Sequence, residues 1–145
     1  MPLSRQLDLL SDWTPTEPVA RFDPVVVRSS SIAGRISKAV SAALKGKDRE
    51  KIAKEMAEYL GVPFSKAMLD AYASEAREDH VISLPRLVAL MHATRDRRLL
   101  QVFADDHGWA VIEDRHVHLI TLAEVREQQA FLEKKADALR RQARR

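Results

Sequence analysis

Residues 48–74, DREKIAKEMAEYLGVPFSKAMLDAYAS, set an aspartate, a glycine and a serine at spacings that leave room for two short helices. Asp48 and Ser65 are residue types whose side-chain oxygens accept the free amides at a helix start. Gly61 suits the left-handed backbone that ends a helix. Between these marks, Ile52, Ala53, Met56 and Leu60 recur at helical spacing, and so do Met68, Leu69 and Tyr72 after Ser65. The pattern predicts helix, glycine-containing turn, helix, which is the outline of a helix-turn-helix. The linker over 58–64 is longer than the three- or four-residue turn usual in that motif.

The neighbouring sequence extends the helical pattern. Serines 29–31 offer caps for a helix carrying Ile32, Ile36, Val40, Ala43 and Leu44, with Gly46 at its end. Ser83 is placed to cap another, with Pro85 tolerated in the first turn and Leu87, Val88, Leu90 and Met91 as its apolar positions. Asp96 is placed to cap a fifth, carrying Leu99, Leu100, Val102 and Phe103, and Gly108 stops it. A chain of 145 residues, 46% hydrophobic, can bury one ordinary core. The fold class expected is therefore mainly α: a compact five-helix domain over 29–108 that contains the helix-turn-helix.

Three flanking segments have other textures. Residues 1–28 are apolar and proline-rich. Pro2, Pro15, Pro18 and Pro24 disfavour helix, while Leu3, Leu7, Leu9, Leu10, Trp13, Val19, Phe22 and the valines at 25–27 are too apolar for a solvated linker. This arm packs on its own domain, docks to another protein, or is disordered. Residues 109–112 and 116–120 are short β-branched or aromatic runs separated by Glu-Asp-Arg, a pattern that predicts a small β-hairpin over 109–120. Thr121 and Glu124 read as a capping box opening a long C-terminal helix over 121–145. In that helix Leu122, Val125, Gln129, Leu132, Ala136, Leu139 and Ala143 step by three and four, a heptad seam suited to dimerisation or to folding back on the domain.

Charge is concentrated in one place. The formal net charge is +3, and Lys134, Lys135, Arg140, Arg141, Arg144 and Arg145 stand near the end against Glu133 and Asp137. Without this tail the chain is close to neutral, so a local basic patch is implied and not a basic surface. There is no cysteine, which excludes disulfides and thiol catalysis. No run approaches the roughly 18 apolar residues of a membrane span, and the first residues make a poor signal peptide. The expectation is a soluble, cytoplasmic protein without contact with a membrane.

Nothing in the chain points to an enzyme. There is no Gly-x-Ser-x-Gly elbow, and capping accounts for serines 29–31. None of the four glycines belongs to a phosphate-cradling loop. Asp105 and Asp106 adjoin on a helix and diverge. His116 and His118 would share one face of a strand, with Asp114 near, but two histidines in a surface hairpin fall short of the three or four ligands that a metal needs. No catalytic residue, metal site or cofactor is expected.

The helix after Ser65 is the place where function is expected. With Met68, Leu69 and Tyr72 inward, its opposite face shows Lys66, Ala67, Asp70, Ser74 and Arg77. Small and polar side chains there suit close approach to base edges and phosphates. Lys66 suits guanine or a phosphate. Asp70 suits a cytosine amine, or orients Lys66 or Arg77. Arg49 and Lys51, at the start of the preceding helix, suit backbone phosphates. An ordinary solvated face is the competing reading of the same residues.

The stretches IAKEMAEYLG, SKAMLDAYASE and EDHVISLPRLVALMHATRDRRLLQVFADDHGWAV carry a more particular signal. In their Ser-Leu-Pro helix start, Thr-Arg-Asp turn, paired leucines and closing glycine, residues 36–111 resemble the phage regulatory CII-type helix-turn-helix family. They are also similar to small proteins found near the transposition genes of Mu-like phages and prophages. The resemblance implies a sequence-specific regulator of transcription that binds double-stranded DNA without a cofactor, and it makes residues 65–74 the reading helix. The heptad seam adds the expectation of a homodimer. The alternative is an adaptor that docks a phage or host protein of replication or transposition through the arm or the C-terminal helix.

Overall fold

The computed structural model describes residues 17–77 and 79–144. Residues 19–111 form one compact unit, and the other described residues fall outside it. The described residues form seven α-helices and one short 3-10 turn, with no strand among them.

The unit opens with α1, Pro24–Val27. The Asp23 carboxylate accepts the Val25 amide at 2.9 Å, and Pro24 sits at the first helical position, where it needs no amide partner. Helix α2, Ile32–Leu44, is capped by Ser31, whose hydroxyl accepts the Gly34 amide at 3.0 Å. Asp48 caps α3, Arg49–Leu60, by accepting the amides of Glu50 and Lys51 at 3.0 and 3.2 Å. Gly61 ends α3 at φ +67° and returns its amide to the Ala57 carbonyl. Ser65 caps α4, Lys66–Tyr72, accepting the Met68 amide at 3.3 Å.

Helix α5 is Leu84–Thr94, and α6 is Arg98–Asp105. Ser83 occupies the capping position of α5, but its hydroxyl takes no helix amide. Asp96 accepts the Arg98 amide at 3.1 Å and so opens α6.

The core is built where these helices meet. Val40 and Leu44 of α2, Met56 of α3, Leu69 of α4, Leu90 of α5 and Leu99 of α6 are all fully buried. Helix α3 packs against α5 and α4, and α2 against α4 and α6. Arg35 of α2 holds Asp106 with both carboxylate oxygens, at 2.6 and 2.7 Å.

Two expectations for the compact unit need correction. Its helices number six instead of five, because the Asp23–Pro24 pair starts the extra turn α1 inside the presumed arm. Its boundary also lies earlier than 29. Phe22 is buried in the core under the guanidinium of Arg98, 4.3 Å from the ring centroid. The apolar residues expected at positions 3, 7, 9, 10 and 13 of the arm lie outside the described residues.

The β-hairpin over 109–120 does not form. The buried side chain of Gln101 takes the polar groups of its first half: Nε2 donates to the Trp109 carbonyl at 3.1 Å, and Oε1 accepts the Val111 amide at 2.7 Å. With those groups engaged, no partner strand is needed. The second half is helical: a 3-10 turn over Asp114–His116 leads into α7, Val117–Ala143. Thr121 therefore lies within the helix and caps nothing; its hydroxyl donates to the Val117 carbonyl at 3.2 Å. None of the residues of α7 is buried. Among the described residues, no helix is long and apolar enough to cross a membrane.

Candidate nucleic-acid interface

Helices α3 and α4 present one cluster outward. Arg49, in the first turn of α3, donates to one oxygen of Asp70 at 2.7 Å. Lys66, one turn before Asp70 on α4, donates to the other at 3.1 Å. The Arg49 hydrogen bond, followed by that of Lys66, holds the Asp70 carboxyl below its ordinary range. Asp70 is thus a fixed anion that joins the start of α3 to the exposed face of α4, and the trio carries one net positive charge. Of the two roles expected for Asp70, orienting cations is the one seen here, with Arg49 in place of Arg77.

Beside this trio the surface is small and open. Ala67 is exposed, and Ser74 is half-buried just past the end of α4. Ser65 is exposed, with its hydroxyl engaged in the cap. Lys51 points to solvent, 73% exposed, with Glu55 4.0 Å away. Arg77 is not gathered into the trio. It lines a cavity on another side of α4 with Ala67, Ala71, Tyr72, His80 and Arg86. Of the expected contact residues, the fold therefore unites Arg49, Lys66 and Asp70. It sets Lys51 apart, and Ala67 and Arg77 share the neighbouring cavity.

Arg86 of α5 was not foreseen. Its guanidinium donates to the Tyr72 hydroxyl and lies over the rings of Phe64 and Tyr72, 5.6 and 5.7 Å from their centroids. The two rings are themselves stacked at 6.3 Å. Phe64 comes from the turn and Tyr72 from the end of α4, so Arg86 clamps both ends of the short helix onto the core. Local pattern around Pro85 gives no sign of this, because both partners are distant in sequence.

The histidine pair also changes meaning. His116 ends the 3-10 turn and His118 lies in the first turn of α7, so no strand sets them side by side. Among the described residues, no three histidine or acidic side chains gather as metal ligands.

Of the residues expected to form a dimer seam, Leu122, Val125, Gln129, Leu132 and Leu139 are exposed along α7, and Ala136 is half-buried. No protein-family model, curated protein or solved structure matches this chain.

Proposed function

We propose that this protein binds double-stranded DNA in a sequence-specific way, as a dimeric regulator of transcription of the phage or prophage type. The observation that carries the reading is the meeting of Arg49 and Lys66 on Asp70 at the outward face of a capped short helix that follows a turn. Two cations from two helices, fixed by one carboxylate, give a preset geometry for adjacent phosphates or a base edge. Ala67, exposed and next after Lys66, lets a backbone come close. The phage assignment rests on the sequence resemblance of residues 36–111. The dimer rests on the exposed seam of α7, since one small reading helix gives weak binding and two linked half-sites raise the effective concentration.

The test is recovery of fragmented genomic DNA by the purified protein at near-physiological salt, followed by the double variant Arg49→Ala with Lys66→Ala. Enrichment of a few sites is expected for the native chain. The variant should melt normally, bind about tenfold or more weakly, and lose roughly two from the slope of binding against salt. Unchanged affinity in a folded variant would sink the assignment.

The adaptor reading is favoured by a different observation. Val25, Val26 and Ile32 are 78%, 52% and 76% exposed near the start of the compact unit. Failure of the folded native chain to retain any DNA would leave these exposed apolar side chains as the candidate docking surface.

A further inference from the structure

Helix α7 runs unbroken for 27 residues, yet Leu122, Val125, Leu132 and Leu139 along one stripe are 44%, 48%, 53% and 57% exposed. Val117, Leu119, Ile120 and Phe131 of the same helix are exposed as well, and so many uncovered apolar side chains on one helix mark an association surface. We infer that the stripe is covered by α7 of a second copy running antiparallel to the first. The inference rests on the dimeric reading above and specifies its geometry.

Charge sets the direction. The first half of α7 carries Glu124, Arg126 and Glu127, which lean acidic. From Phe131 onward the chain carries six lysines and arginines against Glu133 and Asp137. Parallel pairing sets six cations against six and brings Lys135 beside Arg140 of the other copy. Antiparallel pairing moves the two basic ends to opposite ends of the pair, away from each other, and the helix dipoles then oppose favourably as well.

The seam also fixes a register. With Leu122 opposite Leu139, the layers read Leu122 on Leu139, Val125 on Ala136, and Gln129 on Leu132. Each small or polar residue meets a larger apolar one. Parallel pairing sets Gln129 on Gln129 and Ala136 on Ala136, leaving a polar layer and a thin one. In the antiparallel register Arg126 of one copy flanks Glu133 of the other, and twofold symmetry makes the pair twice. The ion pair seen within α7 joins Arg140 and Asp137 at 2.8 Å and uses neither of these residues.

The consequence is a spacing. The twofold axis crosses the pair between positions 130 and 131. The two copies of Val117 then lie about 40 Å apart, from the rise of an α-helix. Parallel pairing would put both copies of Val117 at one end.

The chain has no cysteine, so single thiols can be placed on the full-length protein. Sedimentation of the native chain should give twice the monomer mass. Under mild oxidation V125C alone and A136C alone should stay uncrosslinked, and an equal mixture should form the mixed disulfide. Self-crosslinking of each variant, with no preference for the mixed product, means parallel pairing. That result overturns the inference and leaves the dimer intact. A monomeric native chain, with the stripe covered by residues 1–16 or left bare, overturns the inference and the dimeric reading together. Neither measurement contains DNA, so failure of DNA binding is scored separately.

Discussion

Apolar residues recur at helical spacing both in the compact unit and along α7, but only in the compact unit are any of them buried. Leu69 of α4 is fully buried, while Leu132 of α7 is 53% exposed. Helices α2 to α6 are short, and each is held by neighbours on its buried side. Helix α7 is more than twice as long as any of them and has no buried residue. The same periodicity therefore has two outcomes. In one region the stripe is the core, and in the other it is exposed surface.

The largest effect tests this contrast directly. Leu69→Ala should cost about 2–5 kcal/mol in denaturant unfolding, because a buried side chain is lost and a cavity remains. Leu132→Ala should leave the melting of the compact unit in place and weaken self-association instead. If Leu132→Ala destabilised the compact unit as much as Leu69→Ala does, the distinction between core and exposed surface would collapse.

A smaller effect separates a buried, held carboxylate from an exposed one. Burial pushes the Asp96 carboxyl up, but the Arg98 side chain and backbone amide together outweigh it and hold the group below its ordinary range. A depressed folded value means that the stabilisation is fully present above the unfolded carboxylate range, near about 4. It is then lost as pH falls through the lowered folded value. Asp96→Asn should cost about 2 kcal/mol near neutral pH, as expected for hydrogen bonds to a charged group. It should also flatten the acid limb of the stability curve. On α7, Asp137 and its partner Arg140 are 64% and 70% exposed, and Asp137→Asn should leave the thermal midpoint unchanged. An equal response from both would show that burial of Asp96 does not set its worth.

Much of the compact unit was legible because its signals are local. Asp48, Gly61 and Ser65 act on amides and carbonyls within four residues of themselves, so type and spacing suffice to place α3 and α4. What escaped is set at a distance. Gln101 holds residues 109–111 from a neighbouring helix, and no alternation of β-branched residues reveals that. Arg95 ends α5 at φ +56°, a left-handed position for which the sequence offers no glycine. The candidate site was legible in its members and not in its grouping. Arg49 and Lys66 were expected to act separately, and their shared carboxylate appears only when α3 packs on α4. Arg86 left no local trace, since its partners Phe64 and Tyr72 lie one helix earlier.

A still smaller effect on stability concerns Asp70, and it sharpens the comparison on function. Arg49, Lys66 and Asp70 are all partly exposed, so solvent screens their attraction, and Asp70→Asn should change stability by under about 1 kcal/mol. The same substitution removes the charge that offsets two cations on the outward face of α4. Affinity for unrelated DNA should therefore rise, and the slope of binding against salt should steepen by about one phosphate contact. Preference for the native site should fall, because Arg49 and Lys66 lose their common anchor. Asp137→Asn adds the same charge to α7 and serves as the control. If the α4 face reads DNA and α7 joins two copies, only Asp70→Asn erodes the ratio of specific to nonspecific binding. An equal loss from both variants would move the DNA contact from α4 to the basic end of α7.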